Sequence, residues 1–247
     1  MATALIDSDY LVFIASYDKV GKEEKSLSEC LVYIDKLVQQ IFKDTKCDSY
    51  IMALTVGKCF RYKIYPEYKG NRKYRQKLKY FKEVKQYLMD KYGAIFYEDL
   101  EADDIVNICK GHYKDSYIIS PDKDLLMLEG VSYNPKSKEW LAVSKLQAEH
   151  HFAGSMIIGD ASDNINFLKG HGPAWVRDNL PFGDPNLLGI VLKSYIDNIH
   201  PIDKAIDAYY LSFKTLNIVT SWEGFTIPEP ILVDKAKYEF EERMVED

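Results

Sequence analysis

Long apolar runs are missing from this chain. None of its 247 residues lies in a stretch approaching the ~18 consecutive apolar positions of a membrane span, so no membrane association is expected. The opening residues, MATALIDSDY, have no basic region followed by an apolar run, so no secretory leader is expected. Cysteine is scarce and scattered: Cys30, Cys47, Cys59 and Cys109 form no CxxC pair. That excludes a zinc ribbon or a disulfide frame and reads as reduced thiols in a cytoplasmic protein. There is no GxSxG, no Cys–His arrangement and no P-loop, so no protein nucleophile is evident. The histidines (His112, His150, His151, His171, His200) show no ligand spacing. Of these, only His171, within a glycine turn, is placed to touch a phosphate. Low-complexity tracts, repeats and Gly/Ser linkers are also absent, which leaves one compact unit.

What is present is charge, unevenly spread. The chain is acidic overall, at −6. Residues 58–91 nevertheless carry twelve Lys or Arg against Glu67, Glu83 and Asp90, a net +9 that leaves −15 for the rest. Such a block is a solvated helix face or a surface for a polyanion.

Strand and helix signals alternate. Residues 4–6 read as a strand ending at Asp7. Ser26-Leu27-Ser28-Glu29 has capping-box form. It opens a helix with apolar residues at Cys30, Ile34, Leu37, Val38, Ile41 and Phe42. Residues 50–54 and 116–119 read as strands and 94–97 as a short one. Phe81, Val84 and Leu88 mark a helix leaving the basic segment. A further helix is predicted over 101–110, a turn at 134–137, and another helix opening at Ser144-x-x-Gln147. Residues after about 150 look mainly helical. The alternation predicts an α/β fold with a mostly parallel central sheet flanked by helices.

Acidic residues gather where such a sheet keeps its functional groups, beyond the carboxyl ends of strands. Asp7 ends the first strand. Glu101, Asp103 and Asp104 lie in EADD, with Glu101 and Asp104 three apart on one helix face. Asp122 and Asp124 follow the strand at 116–119, in SPDKDL. Asp160 and Asp163 lie in GDASDN and would share a face if that stretch is helical. Each pair alone is readable as a helix cap or a turn. Together they suit hard divalent cations such as Mg²⁺ or Mn²⁺, which prefer oxygen ligands. Two such ions activate water and stabilise a leaving oxygen without any protein nucleophile.

The order of these segments resembles the phage and bacterial 5′–3′ exonucleases, relatives of the flap endonucleases. The pieces are LIDSDYLVF, FRYKIYPEYKGNRK, EADD, ISPDKDLL, GDASDN and LKGHGPAW, and they cover roughly the first 180 residues. The resemblance implies a nuclease core over 1–150 with a helical arch at about 60–92. It also implies a helical part over 151–247 containing a helix–three-turn–helix. It places Asp7, Glu101, Asp103, Asp104, Asp122, Asp124, Asp160 and Asp163 on metal-ligand positions, and Lys69 and Arg72 at the scissile phosphate. Tyr68 would stack on the terminal base. Arg61, Lys73, Lys77 and Lys79 would line the arch, an electrostatic funnel for a single strand. Lys169, Gly170, Gly172 and Arg177 would grip duplex phosphates at the glycine turn, with a potassium ion. The implied activity is metal-dependent 5′–3′ exonuclease or 5′-flap endonuclease cleavage of DNA, extending to RNA–DNA hybrids in some relatives. The implied protein is a free-standing monomer, in the host cytoplasm if phage-encoded.

Two departures stand out. The family carries an aspartate just before its Phe-Arg pair, beyond the second strand. Aligned on Phe60-Arg61, that place falls on Thr55, Val56 and Gly57, with Val56 the best match. One metal ligand is thus expected to be missing unless Asp9 replaces it. The alternative reading is therefore a structure-selective DNA-binding protein with weakened catalysis. In the glycine turn, Pro173 and Ala174 stand where polar residues are common. A third reading, a PIN-like ribonuclease, shares the acidic sheet edge without arch or glycine turn.

Overall fold

The computed structural model describes residues 2–17, 25–74 and 78–234. Its centre is a six-stranded sheet of order β5-β4-β3-β1-β2-β6. Strands β1 (Thr3–Asp7), β2 (Ser49–Ala53), β3 (Ser116–Ile119) and β4 (Gly130–Asn134) run parallel. The edge strands β5 (Glu139–Val143) and β6 (Ile231–Leu232) are antiparallel. β1 and β2 are buried along their whole length, because helices cover both faces of a parallel sheet.

Alternation along the strands divides the core. Ala4, Ile6, Tyr50, Met52, Ile119 and Tyr133 face α1 (Asp9–Ser16), α2 (Leu27–Thr45) and α4 (Phe81–Tyr92). On the other face Leu5, Ile51, Ala53 and Ile118 meet α5 (Ala102–His112) and the returning stretch around Ile218. α2 forms as its sequence dictates. The Ser26 side chain accepts from the Glu29 amide, the Glu29 carboxylate accepts from the Ser26 amide, and Cys30, Ile34, Val38, Ile41 and Phe42 are buried. A third apolar cluster joins α6 (Lys145–Ile158), α7 (Pro173–Asn179), α8 (Leu187–Asn198) and α9 (Ile202–Leu216). It also takes in Cys59 and Tyr68, which flank the short α3 (Arg61–Ile64).

From β1 the chain crosses to β2 on one side, and from β2 it returns to β3 on the other side of β1. The carboxyl ends of β1 and β3 therefore border the crevice that such a reversal opens.

Three local expectations differ. Residues 94–97 make one isolated bridge, Ile95 to Ala53, where a strand was expected. Glu101 is the N-cap of α5 and lies outside the helix; its amide donates to Asp104 Oδ2 at 3.1 Å. Residues 161–164 form a turn closed by reciprocal Asp160–Ile165 backbone bonds of 2.8 Å, so Asp160 and Asp163 share no helix face. Gly159 makes that turn possible. Its φ is +76°, and a Cβ there would stand 2.2 Å from the Ile165 carbonyl oxygen. The C-terminal part also contributes a strand, β6, paired to β2.

Candidate active site

Asp7, the last residue of β1, is 5% exposed. Its Oδ2 accepts the Ser120 hydroxyl at 2.9 Å and its Oδ1 accepts the Asp9 amide at 3.1 Å. Ser120 directly follows β3 and its oxygen accepts the Asp122 amide at 3.0 Å, so one serine links the exits of the two central strands. Asp122 in turn caps the 3-10 turn Lys123–Met127, accepting the Asp124 amide at 2.9 Å. Burial pushes the Asp7 carboxyl up to about 7, with Asp9 and then Asp122 adding to it. Asp103, on the first turn of α5, is raised by burial and then by Asp7, Asp122 and Glu101. Burial and Asp122 push Asp124 up to about 6. These carboxylates repel one another, and the nearby cations do not balance them. Lys123 reaches Asp124 at 2.9 Å and Asp160 at 3.7 Å. Asp160 is held low because bonds from Ser162 and the charge of Lys123 outweigh its burial.

A second group is already neutralised. Burial would raise Glu101, but Lys69, Arg61 and Tyr68 bring it down to about 2. Lys69 Nζ is ion-paired to Glu101 and lies 3.5 Å from Asp163, and Arg72 is ion-paired to Asp163. Lys69 reaches this position with a left-handed backbone, φ +53°, an uncommon state for a bulky residue. Its amide bonds the Asp163 carbonyl at 2.8 Å, which holds it there.

Three expected roles change. Arg61, expected on the arch surface, is 3% exposed. Its guanidinium grips Asp104 bidentately at 2.7 and 2.9 Å, reaches Glu101 at 3.1 Å, and bonds the Thr215 and Asn217 carbonyls. It fastens α3 to α5 and to the end of α9. Asp104, expected as a metal ligand, is fully buried and also accepts the Val219 amide. Its acceptor sites are spent on Arg61, Val219 and Glu101. Tyr68, expected to stack on a base, is buried, and its hydroxyl is shared between Glu101 at 2.7 Å and Asp163 at 2.8 Å.

The remaining basic residues lie farther out. Lys79 is exposed over the Tyr80 ring. Lys77 and the side chain of Lys73 lie outside the described residues. In the glycine turn Lys169 and Gly170 are exposed, and the Gly170 φ of +79° favours glycine. Gly172 precedes α7, and nothing would meet a Cβ there. Arg177 is exposed and pairs with Asp178 at 2.8 Å. Beyond β2, Thr55 accepts the Ala102 amide through its hydroxyl at 2.9 Å, and Val56 is 37% exposed.

Sequence reasoning missed Ser120, Lys123 and Lys85. Lys123 sits between Asp122 and Asp124 in sequence, a signal that was legible. Lys85 reaches the site from the middle of α4, which helix periodicity alone does not reveal.

The donor set fits a hard divalent cation: all oxygen, with negative charge in excess around Asp7, Asp103, Asp122 and Asp124. Among the described residues, no group of three or more His, Cys, Asp or Glu is drawn together closely enough to hold an ion as it stands.

No curated protein matches the chain. Solved structures do. A bacteriophage T5 protein co-crystallized with metal ions superposes with a TM-score of 0.62 at 22% identity, covering 89% of each chain. The T5 5′-exonuclease with bound zinc gives 0.61 at 20% identity, covering 87% of this chain and 88% of that one. A T5 flap endonuclease pseudo-enzyme-product complex with DNA and metal ions gives 0.56 at 20%, covering 87% and 90%. These likenesses establish the fold. Residues 2–149, more than half the chain, match the family model of the 5′-3′ exonuclease N-terminal resolvase-like domain. The chain belongs to the 5′–3′ exonuclease family.

Proposed function

We propose that the chain is a metal-dependent nuclease that hydrolyses DNA phosphodiesters at a 5′ end or 5′ flap. The observation that carries this reading is the set of under-compensated carboxylates at the exits of β1 and β3, bordered by two cations, Lys69 and Arg72. The solved relatives, with metal ions (in one case divalent zinc) and in one case DNA, support it.

Asp7, Asp103, Asp122, Asp124 and Asp160 would hold the cations, Mg²⁺ or Mn²⁺. Two such ions would supply an activated water and charge stabilisation at the leaving oxygen. Ser120 fixes the Asp7 carboxylate, and the Asp122 cap fixes the turn carrying Asp124, so the acids are pre-positioned by the strand exits. Lys69 and Arg72, now held on Glu101 and Asp163, stand where a phosphate's growing charge is answered. Glu101 and Asp163 thereby act as a cradle for these cations and as candidate ligands. Exposed Lys79 and the basic segment would draw in a single strand. Lys169, Gly170, Gly172 and Arg177, with K⁺, would contact duplex phosphates.

The test is cleavage of a 5′-flap duplex with Mg²⁺ or Mn²⁺, against excess chelator and against single-stranded RNA. Metal-dependent release of the flap or of 5′ nucleotides is expected. Binding without cleavage under every metal condition would favour a DNA-binding role, and preferential RNA cleavage a PIN-like ribonuclease.

A further inference from the structure

Lys85 is the one lysine on α4 whose ammonium is turned into the acid site among the described residues. Its side chain is only 12% exposed, with Nζ 3.2 Å from Asp9 Oδ1 and bonded to the Thr55 carbonyl. The ammonium also lies over the Phe81 ring, with Nζ 4.6 Å from its centroid. Asp9 opens α1 two residues after Asp7, and its Oδ1 also accepts the Thr55 amide at 3.2 Å. The loop leaving β2, where the sequence supplies no acid, is therefore met by a carboxylate from a different element. Thr55 carries the link on to the Ala102 amide, between Glu101 and Asp103.

We propose that Asp9 and Lys85 act as a pair, resting on the metal-dependent reading above. Asp9 serves as the carboxylate on the β2 side of the metal site, and Lys85 is the built-in cation that a divalent ion must displace from it. A buried ammonium 3.2 Å from a carboxylate answers the charge that would otherwise attract a metal. Metal loading and the seating of the arch helix α4 are then opposed through one contact. An ion entering at Asp9 frees the Lys85 ammonium, on the arch side, for a phosphate.

The pair predicts effects of opposite sign, which a purely structural contact would not produce. Mn²⁺ binding to the DNA-free full chain is read by electron paramagnetic resonance, with thermal melting to check folding. Asp9→Asn keeps an oxygen for the Thr55 amide and should weaken Mn²⁺ binding by about tenfold or more. Lys85→Met keeps an unbranched stem of similar size without the charge and should tighten Mn²⁺ binding by about threefold or more. Lys85→Arg, which keeps the charge, should stay close to the unaltered protein. If Asp9→Asn binds Mn²⁺ unchanged while Asp122→Asn binds it more weakly, the proposal falls and the nuclease reading stands. If neither substitution changes Mn²⁺ binding, the metal-dependent reading itself falls. Should Lys85→Met weaken binding or leave it unchanged, the competition is overturned; if that variant fails to fold, Lys85→Gln, which also removes the charge, is read in its place.

Discussion

At the scale of single residues, similar side chains do different work according to their neighbours. Asp104 and Asp103 are adjacent in sequence. One is spent on a buried guanidinium, whereas the other faces a cluster of like charge. Arg61→Met would leave Asp104 and Glu101 buried without that counter-charge. We expect a stability loss of about 3–5 kcal/mol by urea denaturation, since removing one partner strands the other. A loss under about 1 kcal/mol would mean that Arg61 is not the structural cation described here. Asp122→Asn has the opposite profile: it removes repulsion, so folding should be unharmed, cleavage abolished, and DNA affinity kept or raised. Near-normal turnover at saturating Mg²⁺ would remove Asp122 from the metal site. Lys69→Ala should lower the cleavage rate more than it weakens binding, and Lys79→Ala the reverse.

At the scale of elements, the C-terminal half of α4 is tied to α2 by one carboxylate. Asp35 on α2 accepts the hydroxyls of Tyr87 at 2.9 Å and Tyr92 at 2.7 Å, and Lys91 at 2.7 Å, all from α4. Burial alone would raise Asp35; bonds from Lys91, Tyr92 and Tyr87 outweigh it and hold it below the usual carboxylate range. A depressed folded value means stability that is fully present above the unfolded value, near 3.9. That stability is lost as pH falls through the lower folded value. Asp35→Ala should therefore cost about 1–3 kcal/mol at neutral pH. The cost should shrink when the same denaturation is run near pH 3, and an equal cost at both would argue against an ionised Asp35 anchor. The turn carrying Asp160 and Asp163 depends likewise on Gly159. Gly159→Ala should destabilise by more than about 1 kcal/mol, seen as a lower melting temperature, because strain at positive φ adds to the contact with Ile165.

On the scale of the whole molecule, charge is segregated: residues 58–91 carry a net +9 in a chain of −6 overall. DNA binding should weaken linearly in log K against log salt, at about −0.9 per phosphate neutralised. Replacing Lys169 and Arg177 together by Ala should make that slope shallower by about one to two for a duplex, without altering the metal requirement. An unchanged slope would place the duplex elsewhere.

The sequence by itself determined the periodic elements and the sheet-edge acids. The Ser26–Glu29 box, the stripe along α2 and the apolar strands are local patterns, and local hydrogen bonding and burial suffice to realise them. The placing of Asp7 and Asp122 beyond strand ends follows from the same patterns. Tertiary structure alone decided which charges meet. Arg61 finds Asp104 and Thr215 far along the chain, Tyr68 is turned inward to Glu101 and Asp163, and Lys85 reaches Asp9 across two elements. Desolvation makes a buried charge take whatever partner packing brings near. Spacing can therefore say that a residue is ionisable, while the packed fold determines whether it binds a neighbour or a ligand.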